Sequence, residues 1–227
     1  MKQVKILLFG LAFCLGLAGA ASAADTPDAN QILASVRFSR IDRELNGQLR
    51  KQDGSVVPFT LQLNGNNMAF HFTNPDETLQ LALTDSGSTL KDTADGRTHV
   101  ISGRQLMDPV RGTDITYEDL ALRFLYWPNA RIEGEDRVKT LPCWIILTQS
   151  TGQRSSYTSV RIWVAKEGNG MLRAETYDAS SKLVKRFDVL AGQRIQGIWT
   201  LKQMRIERMD PNTNRPVSRT YLEISSQ

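Results

Sequence analysis

Three successive segments in the first third of the chain alternate apolar and polar side chains with a period of two residues. Such alternation places every second side chain on one face of a β-strand. Between the first two segments, Asn64-Gly65-Asn66-Asn67 favours a tight hairpin, because Asn-Gly tolerates the positive φ angles that such turns need. If the strands are neighbours, their faces form one apolar wall of Phe59, Leu61, Leu63, Met68, Phe70, Phe72, Leu79, Leu81 and Leu83.

The same organisation continues to the end of the chain. We expect strands at 137–147 with an interruption at Pro142, at 160–164, at 172–178 and at 183–190, and a further pair at 197–201 and 204–209. A short helix is predicted at 28–36. Strands in close succession with polar turns between them predict a mainly β (α+β) protein with one antiparallel sheet rolled toward a barrel. No repeat or linker divides residues 24–227, which we expect to form one domain.

The first 23 residues have the three parts of a secretory signal peptide. Lys2 and Lys5 precede an apolar run, and Ala21-Ser22-Ala23 provides a small-residue cleavage site. Cys14 lies inside the apolar run after the bulky Phe13, which argues against lipidation there. Cleavage would leave a net charge of about +2, with basic and acidic residues intermixed, so nucleic acid is not an expected partner.

Residues with the chemistry of an active site are sparse. Cys143, in an apolar run, is expected to be a buried thiol, and the sequence has no Cys-x-x-Cys, His-x-x-x-His or Gly-x-Ser-x-Gly motif. His71 and His99 lie in separate strand-like segments. The carboxylate pairs Glu118/Asp119 and Glu133/Glu135 could serve a hydrolase, but paired acids are usually solvated surface. We therefore predict no enzyme activity, no metal and no cofactor.

One segment interrupts the strands. Residues 108–127 are predicted to form a loop and then a short amphipathic helix over 115–127, with Thr113 or Asp114 as its cap and Glu118 in the first turn. The run Gly112-Thr113-Asp114-Ile115-Thr116-Tyr117-Glu118-Asp119-Leu120 resembles the signature of outer-membrane lipoprotein-sorting proteins, a branch of the periplasmic lipoprotein-carrier (LolA-like) family. The turn Thr73-Asn74-Pro75-Asp76-Glu77 and the segment 160–220 are similar to further parts of that family.

The resemblance implies an incomplete antiparallel β-barrel covered by lid helices, in which an apolar cavity holds acyl chains. The expected function is a periplasmic carrier that binds lipoprotein acyl chains or lipids and shuttles them toward the outer membrane. An inner-membrane exporter and an outer-membrane acceptor would be its partners. The apolar wall would bind the ligand, beneath a lid carrying Ile115, Leu122, Phe124, Tyr126 and Trp127.

Two alternatives remain open at this point. The wall could be an ordinary core filled by the segment above it, or the fold could serve as an envelope-stress-sensing or protein-interaction module. The chain also departs from the well-studied carriers at the turn after the second strand. There Asn64-Gly65-Asn66 stands in place of a basic residue followed by proline, so the cargo acceptor can differ.

Overall fold

The computed structural model describes residues 27–37, 42–152, 155–195 and 197–225. The expected signal peptide, Cys14 included, lies outside them. Across these described ranges, thirteen antiparallel strands form a single sheet in the order β6-β5-β4-β3-β2-β1-β13-β12-β11-β10-β9-β8-β7. The sheet does not close, because β6 and β7 stand at its two ends. The predicted open, mainly β barrel is confirmed.

The strands and the first helix have the following bounds. Helix α1 spans Ala29–Arg37. The strands are β1 Arg43–Lys51, β2 Val56–Asn64, β3 Asn67–Thr73, β4 Asp76–Leu83, β5 Ser88–Ala94, β6 Arg97–Val100, β7 Arg131–Val138, β8 Leu141–Gln149, β9 Ser159–Ala165, β10 Met171–Tyr177, β11 Leu183–Ile195, β12 Ile198–Met209 and β13 Pro216–Ser225.

Two strand predictions in the second half were wrong. The expected strand 137–147 is a hairpin, since Lys139 takes a positive φ of 56° and turns the chain between β7 and β8. Pro142 is then the second residue of β8 rather than an interruption. The expected pair of strands at 197–201 and 204–209 is instead the single strand β12. Its pairing with β11 shifts register on both sides of Ala191.

The connection between β6 and β7 crosses the molecule. These strands are the two ends of the sheet order, so residues 101–130 have to pass from one edge to the other. We call this stretch the lid segment. Its buried apolar residues belong to the same hydrophobic core as the inward faces of the strands: Ile101, Leu106, Val110, Ile115, Ala121, Phe124, Leu125 and Trp127. Topology therefore places a cover over the sheet.

The helix predicted over 115–127 was wrong in extent and in its cap. Helix α2 is a single turn, Tyr117–Leu120, with Thr116 as its N-cap in a capping box with Asp119. Leu122 has a left-handed conformation (φ 52°), which an α-helix cannot contain, and a 3-10 turn, Arg123–Tyr126, follows. Further 3-10 turns are Gly103–Met107 and Val110–Gly112. Within the described residues, no helix is long and apolar enough to cross a membrane.

Candidate functional site

Strands β2, β3 and β4 bring the predicted wall residues into register. Leu61 pairs with Phe70, and Phe70 with Leu79. The next row joins Leu63, Met68 and Leu81 in the same way. Every wall residue except the partly buried Met68 is less than 9% exposed. The period-two pattern therefore produced one continuous apolar face, as the sequence predicts.

A glycine on β1 lets an aromatic ring lie across this face. Gly47 is the register partner of Phe59, and a Cβ built at Gly47 would overlap the Phe59 ring. The ring instead makes an edge-on contact with Phe70 at a centroid distance of 5.4 Å and a tilted contact with Phe72 at 5.8 Å. The glycine thus extends the wall onto β1.

The predicted lid residues lie in the same core as the wall. Ile115, Phe124 and Trp127 are buried, whereas Leu122 and Tyr126 are partly buried and pack against the core. Arg37 of α1 donates a hydrogen bond of 2.6 Å to the carbonyl oxygen of Leu125, and its guanidinium lies 4.2 Å from the Tyr126 ring centroid. The lid is therefore in contact with the N-terminal helix as well as with the core.

A first polar anchor joins the lid segment to the wall strands. The Arg111 guanidinium lies 2.5 Å from Glu77 on β4, donates to the carbonyl oxygen of Pro75 at 2.8 Å, and sits 4.8 Å from the Phe72 ring centroid. The Tyr117 hydroxyl donates to Glu77 at 3.3 Å. Burial raises the pKa of Glu77, against the influence of Arg111, and burial together with Glu77 raises the pKa of Tyr117 to about 12.

A second polar anchor joins the lid segment to the opposite half of the sheet. Asp119 forms an ion pair with Lys185 of β11 at 2.5 Å, with side chains only 2% and 7% exposed. The Tyr157 hydroxyl donates to Asp119 Oδ1 at 2.8 Å, and the amide of Thr116 donates at 2.8 Å to Oδ2, the oxygen that pairs with Lys185. Burial, followed by the charge of Asp119, raises the pKa of Tyr157 well above its ordinary value.

Two further contacts hold the same turn. Glu118, 2% exposed, accepts a hydrogen bond from the amide of Ser156 at 2.9 Å. Asp114 accepts hydrogen bonds from Ser218 and from Thr220 of β13, and its own amide donates to Thr220 at 3.0 Å. The expectation of a solvated Glu118/Asp119 pair was therefore wrong, because both carboxylates face partners on distant elements.

The remaining candidates lie elsewhere. His71 is on the outer face of β3 with its Nδ1 3.0 Å from Thr78, and the side chain of His99 on β6 is half exposed. Glu133 pairs with Arg161 on the surface, and Glu135 with Lys166. Cys143 is buried, as predicted, and burial raises the pKa of its thiol. The described residues include no cluster of three potential metal ligands.

A depression of about 530 Å³ lies on the side of β2–β5 opposite the wall. Outward-facing side chains, among them Gln62, Gln80 and Lys91, line it. The lining also includes Ala69 and Ala82, and the wall residues Met68 and Leu81 border it. The depression therefore mixes polar and apolar groups, whereas the wall is apolar throughout.

Sequence reasoning missed the polar partners of the lid. Lys185, Tyr157 and Glu77 lie far from the lid segment in the sequence, and the resemblance of the turn 73–77 and of the segment 160–220 to the carrier family gives none of them a contact with the lid. The pattern Thr116-x-x-Asp119 is a capping-box signature and could have placed the start of α2 correctly. The pairing of Asp119 with Lys185 had no comparable signal.

Comparisons with known proteins show which solved structures share this fold. A family model described as an uncharacterized protein matches residues 92–226. An outer membrane lipoprotein-sorting protein domain from Vibrio parahaemolyticus has a TM-score of 0.67 at 14% identity, covering 87% of this chain and 90% of that one. A LolA superfamily protein from Nitrosomonas europaea has a TM-score of 0.64 at 16% identity, covering 88% of this chain and 93% of that one. No curated protein matches the chain.

A DUF1329 family protein from Desulfovibrio piger is also similar, with a TM-score of 0.60, 21% identity and coverage of 87% and 89%. These structural similarities extend over nearly the whole of both chains, and they confirm the resemblance to the lipoprotein-carrier family at the level of the fold. The chain belongs to the family of uncharacterized proteins whose model spans residues 92–226, and it has the open-barrel fold of the LolA superfamily.

Proposed function

We propose that this protein is a periplasmic carrier that binds acyl chains of lipoproteins or lipids between the wall and the lid segment and moves them toward the outer membrane. The observation that carries the proposal is the wall itself: nine apolar side chains on one face of three paired strands, six of them in two registered rows, covered by a segment of one-turn helices. In this proposal residues 1–23 are removed as a signal peptide and residues 24–227 form one domain.

Loading would exchange one set of apolar contacts for another. An acyl chain that enters between the wall and the lid segment takes over the contacts of each with the other, so both apolar surfaces stay covered while the acyl chain itself is removed from water. Each methylene removed from water contributes roughly 0.8 kcal/mol, which gives a long chain ample affinity without polar chemistry. The opposing cost is the disruption of the polar anchors at Arg111 and Asp119, and this cost keeps the hold reversible.

The binding test is a matched pair of substitutions on β3. Phe70→Asp places a charge on the wall, whereas His71→Asp places the same charge on the outer face of the same strand. We expect the wild type and His71→Asp to bind a fluorescent fatty acid and Phe70→Asp to lose binding. Met68→Asp, at a less buried wall position, provides a second variant if Phe70→Asp does not fold, as judged by circular dichroism.

Cargo identity is tested by mass spectrometry of organic extracts from protein purified out of the periplasm. A stoichiometric phospholipid or acylated peptide is the expected result. An empty protein that also fails to bind fatty acid would contradict the carrier function. It would favour the second candidate, a protein-interaction module, for which the two unpaired edges at β6 and β7 offer sites for an added strand.

A further inference from the structure

The hairpin of β11 and β12 projects beyond its neighbours. The last registered pair of β10 with β11 is Arg173 with Asp188, and that of β12 with β13 is Gln203 with Glu223. Beyond these pairs, the two strands continue paired only with each other as far as Ile195 and Ile198. We call residues 193–195 and 197–202 the hairpin tip. The tip extends past the ladders of its neighbours but stays attached to the barrel: Ile195 is 3% exposed in the hydrophobic core, and the Gln193 side chain donates to the carbonyl oxygen of Ile224 at 3.2 Å.

The tip displays a tryptophan to solvent. Trp199 is 67% exposed, in contrast to Trp127 and Trp163, which are 4% and 7% exposed, and the half-buried Trp144. Its ring rests against the backbone of Gly192, where a Cβ would lie 3.3 Å from the ring, and the Arg194 guanidinium lies 5.2 Å from the ring centroid. The ring is thus oriented by its contacts and still accessible.

The surroundings of Trp199 are apolar and basic. Ile198, beside it, is 36% exposed. Residues 189–206 contain Arg194, Lys202 and Arg205 and no acidic residue. Arg205 pairs with Asp188 at 3.0 Å, so Arg194 and Lys202 carry the net positive charge of the tip.

We propose that the hairpin tip docks on an anionic lipid bilayer. Tryptophan is enriched at the headgroup level of membranes, where an apolar ring with a polar N–H is well accommodated. Basic side chains beside it are attracted by the negative surface of anionic lipids. The tip presents only two large apolar side chains, which suits shallow insertion better than a broad protein interface. The inference does not depend on the protein carrying lipid.

The test is co-sedimentation of the full-length mature protein with vesicles of equal parts phosphatidylglycerol and phosphatidylcholine. One basic residue near an anionic membrane surface raises the partition coefficient of a protein onto the vesicles roughly fivefold. We therefore expect Arg194→Glu, which also adds a repulsive charge, to lower the partition coefficient about tenfold or more. Trp199→Ser should lower it as well. Arg97→Glu makes the same charge change, and Val56→Ser removes an exposed apolar side chain, at sites away from the tip, so both should bind like the wild type.

Tryptophan fluorescence localises the contact. On binding, the emission of the wild type should shift to shorter wavelength and be quenched by brominated lipid, and Trp199→Phe should show neither change. Failure of the wild type to bind anionic vesicles would overturn the proposal and would leave the tip to a protein partner. Equal loss of binding in the tip and control variants, or binding without quenching of Trp199, would overturn it too.

Discussion

The wall and the lid segment reach the same core by different means. The wall is built from hairpins whose strands are neighbours in sequence, so alternation and turn residues determine which side chains meet. The lid segment has single-turn helices and left-handed residues, and distant partners on β4, β11 and β13 hold it in place. The lid segment is thus held by its buried core residues and by these polar anchors, and its displacement belongs to the proposed function.

The largest expected effect comes from breaking the buried anchor. Asp119→Ala would leave the Lys185 ammonium buried without its partner and should lower the free energy of unfolding by about 3–5 kcal/mol in urea denaturation. Glu133→Ala is the control, because it breaks a more exposed pair with Arg161 and should cost about 0–1 kcal/mol. The double variant Asp119→Leu with Lys185→Met should recover most of the loss. Equal costs for Asp119→Ala and Glu133→Ala would contradict the role of Asp119 as an anchor.

The wall should respond as a packed face. Leu79 is fully buried and pairs with Phe70, so Leu79→Ala should lower the free energy of unfolding by about 2–5 kcal/mol. The adjacent Gln80 points outward, and Gln80→Ala should change the free energy of unfolding by no more than about 0.5 kcal/mol. A small effect at Leu79 would show that the wall is loosely covered and that the contrast with the lid segment is wrong.

Gly47 tests the extension of the wall onto β1. Gly47→Ala forces the Phe59 ring to move and should destabilise the protein by about 1–3 kcal/mol, measured by thermal or urea unfolding. Gly134→Ala on β7 is the matched control, since no atom lies within 4 Å of its added Cβ. A neutral Gly47→Ala would mean that Phe59 repacks freely and that the wall tolerates change there.

The smallest expected effect concerns the anchor at Glu77. The pKa of Tyr117 is raised to about 12 from an ordinary value of 10.0, so the unfolded chain loses this proton first as the pH rises. The contribution of the Tyr117 hydroxyl to the free energy of unfolding is therefore fully present below pH 10 and is lost progressively toward pH 12. Tyr117→Phe should flatten the decline of unfolding free energy over that interval. Parallel pH profiles for the two proteins would contradict the environment assigned to Tyr117.

The comparison also explains what the sequence could predict. Wall residues such as Leu61, Phe70 and Leu79 follow from a period of two and an Asn-Gly turn, both local signals. The extent of α2 could not be predicted from the amphipathic pattern, because Leu122 takes a left-handed conformation and the turn is held by tertiary contacts. The ion pair of Asp119 and Lys185 depends on the approach of two elements distant in sequence, which no local pattern encodes.

Photolabelling can locate an acyl chain bound between the wall and the lid segment. Protein irradiated with a diazirine-labelled fatty acid is digested, and the modified peptides are identified by mass spectrometry. We expect adducts on wall and lid residues such as Phe70, Leu79 and Phe124, and their loss in Phe70→Asp. Adducts confined to the outer depression at Gln62, Gln80 and Lys91, or no specific adduct, would contradict this expectation.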